Sequence, residues 1–445
     1  MLTYQLTKGP GMPLYESLYR LIREDIRTGR LSPGEKLPSK RALAAHLEVS
    51  VITVEAAYEE LLSEGYIRSK EKVGYFVEEY RRLPAAPAPP APVAPPPSAG
   101  KVEGFPFSVW SRLQREVVLD YGEKLLLPLP NKGVPELRNA IAQHLASFRG
   151  MTVNPENILI GAGTDFLYNL LIQLLGREYV YAVEDPGYGK IRSIYAAGGV
   201  RCLSVPMDKF GVRPDCLGTA RVLHISPSHH YPTGLVTPPT RRRELLSWAE
   251  RRQGYIIEDD YDSEFRFHAH PMSAMQTMDA QRVIYMNSFS KSLAPSIRIS
   301  YMVLPSELMD KFQRELGFYS CTVPSFEQYT LARFLSMGHF EKHINRMRKF
   351  YRSSRKKVVA RIKSSPMADR LTIRELDAGL HFLLQVDTSL PDSAFRAAGI
   401  PFPTLGSFYA DNRENLHTLV VSYAGLKDET LDEALEKLEQ LILAE

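Results

Sequence analysis

The stretch Leu83–Gly100, LPAAPAPPAPVAPPPSAG, is almost entirely proline and alanine. Proline lacks a backbone N–H and has a fixed φ, so this run can enter neither a helix interior nor a sheet, and it has too little apolar bulk to build a core. It is predicted to be a semi-rigid, polyproline-like spacer of about 3 Å per residue. The chain thereby divides into a head (residues 1–80), a linker (81–104) and a body (105–445), with no internal repeat in either folded part.

A length of 445 residues and an apolar fraction of 44% suit two or three globular units. Net charge is only +4, so charge by itself points to no polyanionic partner. Cys202, Cys216 and Cys321 are far apart and in no metal or redox spacing, which reads as free thiols of a reducing cytoplasm and no metal site. No apolar run approaches the roughly 18 residues that span a bilayer, and the N-terminus lacks a charged-then-apolar leader, so a soluble intracellular protein is expected.

In the head, Leu14, Leu18, Leu21, Ile22 and Ile26 recur at helical spacing before a turn-rich break at Gly29–Lys36. Ser39 is placed to cap a second helix running through Leu47. Ser50 is placed to cap a third, whose apolar face is Val54, Ala57, Tyr58, Leu61 and Leu62. Gly65 ends it, and Tyr66–Ser69 and Tyr75–Val77 flank KEKVG as a hairpin. Three helices and a hairpin describe a winged helix-turn-helix.

The body alternates short apolar runs with helix-length segments, which predicts an α/β fold with a mainly parallel sheet. The runs are 158–160, 179–183, 222–225, 255–257, 283–286 and 299–304. Several lead into polar clusters, GAGTD, EDPGY, SPSHHYPTG, EDDYD and NSFSK, and ligands of open α/β sheets bind outside such strand ends. After Pro305 come long helical stretches and two strand-like runs, 380–386 and 418–423. These predict a smaller C-terminal subdomain over about 305–445, closing on the same cleft.

The head segment LSPGEKLPSKRALAAHLEVSVITVEAAYEELLSEGYIRSKEKVGYFV resembles the winged helix-turn-helix of the GntR family along nearly its full length. The resemblance implies that double-stranded operator DNA is the partner, with the third helix in the major groove. It gives Arg41, Ser50, Thr53, Lys70 and Lys72 as contact candidates. Arg41 can fork onto guanine or phosphate, while the hydroxyls and lysines position the backbone. Two departures stand out: Val51 and Glu55 occupy places where many relatives carry arginine, and Lys72 stands where a wing-tip glycine is common.

The body clusters resemble fold-type I aminotransferases, which implies pyridoxal 5′-phosphate (PLP) as cofactor. In FSKSLAPSIR, Lys291 matches the Schiff-base lysine, an amine expected to need a desolvated site. Ser288 and Arg298 match the phosphate grip. In EDDYD, Asp259 matches the carboxylate that pairs with the pyridinium nitrogen, with Asp260 and Asp262 as alternatives, and Tyr261 matches the phenol on the ring oxygen. Gly163 and Thr164 of GAGTD offer backbone amides to phosphate at a helix N-terminus. Tyr188 of DPGY matches the aromatic that stacks on the ring.

Head, linker and body together resemble the MocR (GabR-like) subfamily of GntR regulators over the whole chain. Tyr231 supports this, because relatives carry an aromatic before PTG where aminotransferases usually have asparagine. Gly425 stands where amino-acid-sensing relatives place a carboxylate-binding arginine, and PLPNKG lacks the tyrosine that aminotransferases contribute across the dimer. The resemblance therefore implies a homodimeric, PLP-bound regulator used as a sensor, with no catalytic residues. The effector is PLP itself, as in PLP-responsive (PdxR-like) members, or an amino acid or dipeptide held by groups such as Lys190 or Arg192. A working aminotransferase is the remaining alternative.

Overall fold

The computed structural model describes residues 2–4, 6, 13–79, 104–265, 273–375 and 379–443. The proline–alanine spacer lies outside the described residues. The chain separates into two compact units, Met1–Ser98 and Ala99–Glu445.

In the first unit, α1 (Leu14–Thr28), α2 (Lys40–Leu47) and α3 (Val51–Ser63) precede a hairpin of β1 (Ile67–Lys70) and β2 (Gly74–Val77). The expected caps form. Ser39 Oγ accepts the Ala42 N–H, and Ser50 Oγ accepts the Thr53 N–H, so each helix starts with one otherwise orphaned donor satisfied. Leu18, Ile22, Leu43, Val54, Ala57, Tyr58 and Leu61 close a fully buried core. At the wing tip Lys72 adopts φ 59°, the left-handed conformation that explains why glycine suits this place. This unit is the predicted winged helix-turn-helix.

The second unit begins with α4 (Phe107–Tyr121) and α5 (Pro135–Arg149), then β3 (Ile158–Gly161), α6 (Thr164–Leu175), β4 (Tyr181–Asp185) and α7 (Gly189–Ala197). β5 (Cys202–Asp208), β6 (Gly211–Val212), β7 (Val222–Ile225), α8 (Pro239–Arg252) and β8 (Tyr255–Asp259) follow. Next come β9 (Val283–Ser288), the single turn α9 (Phe289–Ser292) and β10 (Ser300–Val303). Among the described residues these strands form one sheet in the order β3-β10-β9-β8-β7-β4-β5-β6. The neighbours from β9 through β8, β7 and β4 to β5 are parallel, while β10 runs antiparallel to both β9 and β3.

Side chains alternate across this sheet as the strand period requires. Ile158, Ile160, Tyr285, Tyr301 and Val303 face a core shared with α4 and α5. Leu159, Ile284, Met286 and Met302 face a core shared with α6. Both faces are covered, which accounts for the near-continuous apolar runs in the sequence.

The rest of the chain comprises α10 (Ser306–Leu316), α11 (Ser325–Ser336), α12 (His339–Lys363), β11 (Leu371–Arg374), β12 (His381–Val386), α13 (Asp392–Ala397), β13 (Thr418–Ser422) and α14 (Asp428–Leu443). The smaller core begins later than the break at Pro305 suggests. Leu308, Met309 and Phe312 of α10, and Tyr329, Leu331 and Phe334 of α11, join the two large cores, because their apolar stripes complete the cover of the sheet. Within the second unit α12 bridges two cores: Phe340, Ile344 and Met347 pack with a large one, Val358 and Ile362 with the small one. The small core then gathers β12, β13 and α14. Three strands escape the sequence reading: β5, which contains Pro206, the two-residue β6 and the four-residue β11.

Candidate functional site

The register of three strands assembles the site. Ser300, the first residue of β10, pairs with Ser288 at the end of β9 and with Gly161 at the end of β3. The reversal of β10 therefore delivers the segment before it, with Arg298, to the edge where β3, β4, β7, β8 and β9 all end. GAGTD, EDPGY, SPSHHYPTG, EDDYD and NSFSK converge there although they span more than a hundred residues of sequence.

Asp259 closes β8 and is buried, 5% exposed. Tyr168 of α6 donates its hydroxyl to Asp259 Oδ2 at 2.5 Å, and His224 Nε2 lies 3.5 Å from the same oxygen. Burial, and then the adjacent carboxylate, push the Tyr168 phenol well above its ordinary range, so it remains a donor. Asp259 Oδ1 is buried with no hydrogen-bond partner among the described residues. A buried carboxylate oxygen left unmatched is costly, and a protonated ring nitrogen is the kind of donor that would satisfy it. The alternative carboxylates are engaged elsewhere: Asp260 pairs with Arg149 at 3.0 Å and accepts from Tyr285, and Asp262 accepts from His229 Nδ1 at 2.6 Å.

Lys291 sits in the last turn of α9 and is exposed, so this chain alone does not supply the desolvation expected for it. It is close enough to His381 to help hold that imidazole's pKa down at about 4, after burial and the His229 charge. Ser288 Oγ accepts from Ser300 Oγ at 2.9 Å and donates to Ser290 Oγ at 3.0 Å, linking two strand-end hydroxyls to one on α9 beside Lys291. Arg298, at φ 51°, is held in the left-handed region, a strain seen where a side chain must be aimed. Its Nη2 lies 3.5 Å from Asp165 Oδ2, and Lys190 Nζ donates to the same oxygen at 2.7 Å. One carboxylate thus already sits between two cations.

Gly163 has a steric role beside the expected one. Its N–H donates to Gly161 O at 2.8 Å, and a Cβ here would fall 2.1 Å from Arg298 Nη2. The glycine makes room for the guanidinium. Thr164 begins α6, where a first-turn N–H lacks an intrahelical acceptor.

Tyr188 is half exposed and meets Tyr231 edge-on at 6.2 Å; Tyr231 also packs against His381 and Phe408 at 5.1 and 5.3 Å. The hydroxyl of Tyr261 lies 3.3 Å from His229 Nδ1. Arg192 donates through Nη2 to Phe408 O at 3.3 Å, which ties α7 to the segment around Phe408, while its Nη1 lies 3.7 Å from Asp185 with no hydrogen-bond partner among the described residues. Gly425 adopts φ 78°, and a Cβ there would meet nothing within 4 Å. Sequence reasoning did not single out Tyr168, His224, Asp165, Ser290 or the His229–Asp262–His381 group. The repeated histidine in SPSHHYPTG was the available signal for the last of these.

In the head, Arg41, Lys70 and Lys72 are exposed, as DNA contacts require. Ser50 and Thr53 share a 2.8 Å hydrogen bond that serves the helix cap. Lys40 Nζ donates to Glu55 Oε1 at 2.6 Å, which pairs the first of the three acids on α3.

The head matches the family model for bacterial regulatory proteins of the gntR family over residues 14–77, and the body matches aminotransferase class I and II over residues 98–438. A Rhizobium meliloti protein named probable rhizopine catabolism regulatory protein MocR is 31% identical, over 99% of this chain and 96% of its own. The chain belongs to the MocR-like subfamily of GntR regulators. This MocR-like regulator is also 36% identical to the uncharacterized HTH-type transcriptional regulator YdeL of Bacillus subtilis, over 97% of both chains. Identity to the pyridoxine biosynthesis regulator PdxR of Corynebacterium glutamicum is 30%, over 82% of both. Its body shares the fold of LysN, an α-aminoadipate aminotransferase from Thermus thermophilus, with a TM-score of 0.65 and 24% identity over 78% of this chain and 90% of that one. No helix among the described residues is long and apolar enough to cross a membrane.

Beneath the MocR-like site, Glu184 and His230 face each other at 3.5 Å, yet burial drives both to the neutral form: Glu184 up to about 8, His230 down to about 3. Since the folded pKa of Glu184 exceeds its unfolded value, its contribution to stability is complete below about pH 4.5 and is lost as pH rises through about 8. Glu184→Gln is expected to lose less stability than the natural protein between about pH 5 and about pH 8, read from urea midpoints. Identical pH slopes would contradict the assignment.

Proposed function

We propose that this regulator holds PLP on Lys291 and reads PLP itself as its signal. The observation that carries the reading is the buried, unmatched Oδ1 of Asp259. When bound, PLP supplies an aldehyde for the Lys291 amine and an electron-poor ring. Asp259 would bond the ring nitrogen, fixed in place by Tyr168. Tyr261 and Tyr231 would border the ring oxygen, and Tyr188 would cover the ring face. The hydroxyls of Ser288 and Ser290, the Thr164 amide and Arg298 would take the phosphate, displacing Arg298 from Asp165.

The same residues support a sensor over an enzyme. Transamination needs a substrate carboxylate held in alignment. Gly425 offers open space in place of a guanidinium. Lys190, through release of its bond to Asp165, and Arg192, through its unpartnered Nη1, are the candidates for holding an amino acid or dipeptide effector. In the head, Arg41, Lys70 and Lys72 would contact operator DNA, with Ser50 and Thr53 setting the start of α3.

The full chain incubated with PLP is expected to show a visible absorbance band that Lys291→Ala lacks and Asp259→Asn weakens. Turnover of an amino donor and a keto acid should stay well below about 1 s⁻¹, the lower end for working enzymes. Enzyme-like turnover, or no band at all, would overturn the reading. We further propose a homodimer through Val118, Leu119, Leu126 and Leu127, apolar side chains that are all exposed in the single chain. Leu119→Asp with Leu126→Asp should sediment as a monomer; an unchanged dimer would place the interface elsewhere.

A further inference from the structure

The start of α3 presents large apolar side chains to solvent. Ile52 is 76% exposed and Val51 42%. At about 100° per residue, Ile52 lies on the side of α3 opposite the buried Val54, Ala57, Tyr58 and Leu61, and Ala56 follows it one turn later on the same line. No acidic residue lies in the first turn, and the nearest acid, Glu55, is tied to Lys40. The outward line of the first two turns is therefore apolar and carries no free charge. Packing within the head does not require this, because the core closes without Ile52.

This inference rests on the reading of α3 as the helix that enters the major groove. In that groove the one apolar group on any base edge is the C5-methyl of thymine; guanine and adenine present acceptors and donors that isoleucine cannot satisfy. A polar base edge buried against Ile52 would be left unpaired, whereas a methyl buries apolar surface on both sides. We propose that Ile52, flanked by Val51 and Ala56, selects thymine in the operator half-site by contact with its methyl group, replacing the guanine-reading fork that arginine provides in relatives.

The test uses the full-length protein. Duplexes are enriched from a random-sequence pool. Each thymine of the enriched half-site is then replaced singly by 2′-deoxyuridine, which pairs identically but lacks the methyl. For the natural protein, at least one replacement is expected to weaken binding about four-fold, the worth of one buried methyl. In Ile52→Ala, whose fold is not at stake because the side chain is exposed, the same replacement should have no effect. If no thymine methyl matters, or if it matters equally in Ile52→Ala, the inference is overturned while the DNA-reading function stands. If no duplex is enriched at all, the function reading falls and the inference with it.

Discussion

The placement of β10 between β3 and β9, antiparallel to both, is the constraint on which the body's chemistry depends. Parallel strands alone would bring together only their carboxyl ends. The reversed strand brings an amino end to the same edge, and with it Arg298, so that Gly161, Ser288 and Ser300 lie side by side and the cation faces the start of α6. A slip of one residue in that pairing would turn Tyr301 and Met302 onto the wrong faces of the sheet. The two large cores, which those side chains fill from opposite sides, fix the register and so fix the site.

Much of this was legible in the sequence, because local chemistry and fold agree. The head could be read almost element by element: Ser39 and Ser50 cap their helices, and the apolar face of α3 is buried as its spacing requires. The parallel strands announced themselves as apolar runs leading into polar clusters. What escaped depended on three-dimensional pairing. β5 contains a proline and lies near the sheet edge, where proline is tolerated but the strand signal is weak. The apolar stripes of α10 and α11 do not say which core they cover, so the smaller unit was drawn too large. The motif around Gly163 points to a backbone amide, but not to the room that its missing Cβ leaves for Arg298. Tyr168, which holds Asp259, comes from a separate element, and no motif spacing connects it to that carboxylate.

The site is also notable for what its charged groups already do. Arg298 and Lys190 converge on Asp165, Arg192 fastens α7 to the segment around Phe408, and Glu184 and His230 meet as neutral groups. A phosphate arriving at Arg298 would compete with Asp165 for the same guanidinium. That competition offers a physical route from ligand binding to a change at α6 and α7. A differential affinity of about 1 to 3 kcal/mol between two states of the body suffices for a regulatory response.

The central claim is that occupancy of the Lys291 site changes how the protein binds DNA. It is tested most directly by measuring the affinity of the full-length protein for its enriched duplex, by fluorescence anisotropy, while PLP is titrated. The account predicts a shift of at least about five-fold in the natural protein and none in Lys291→Ala. An affinity unchanged by PLP, in protein whose absorbance shows the site filled, would contradict it.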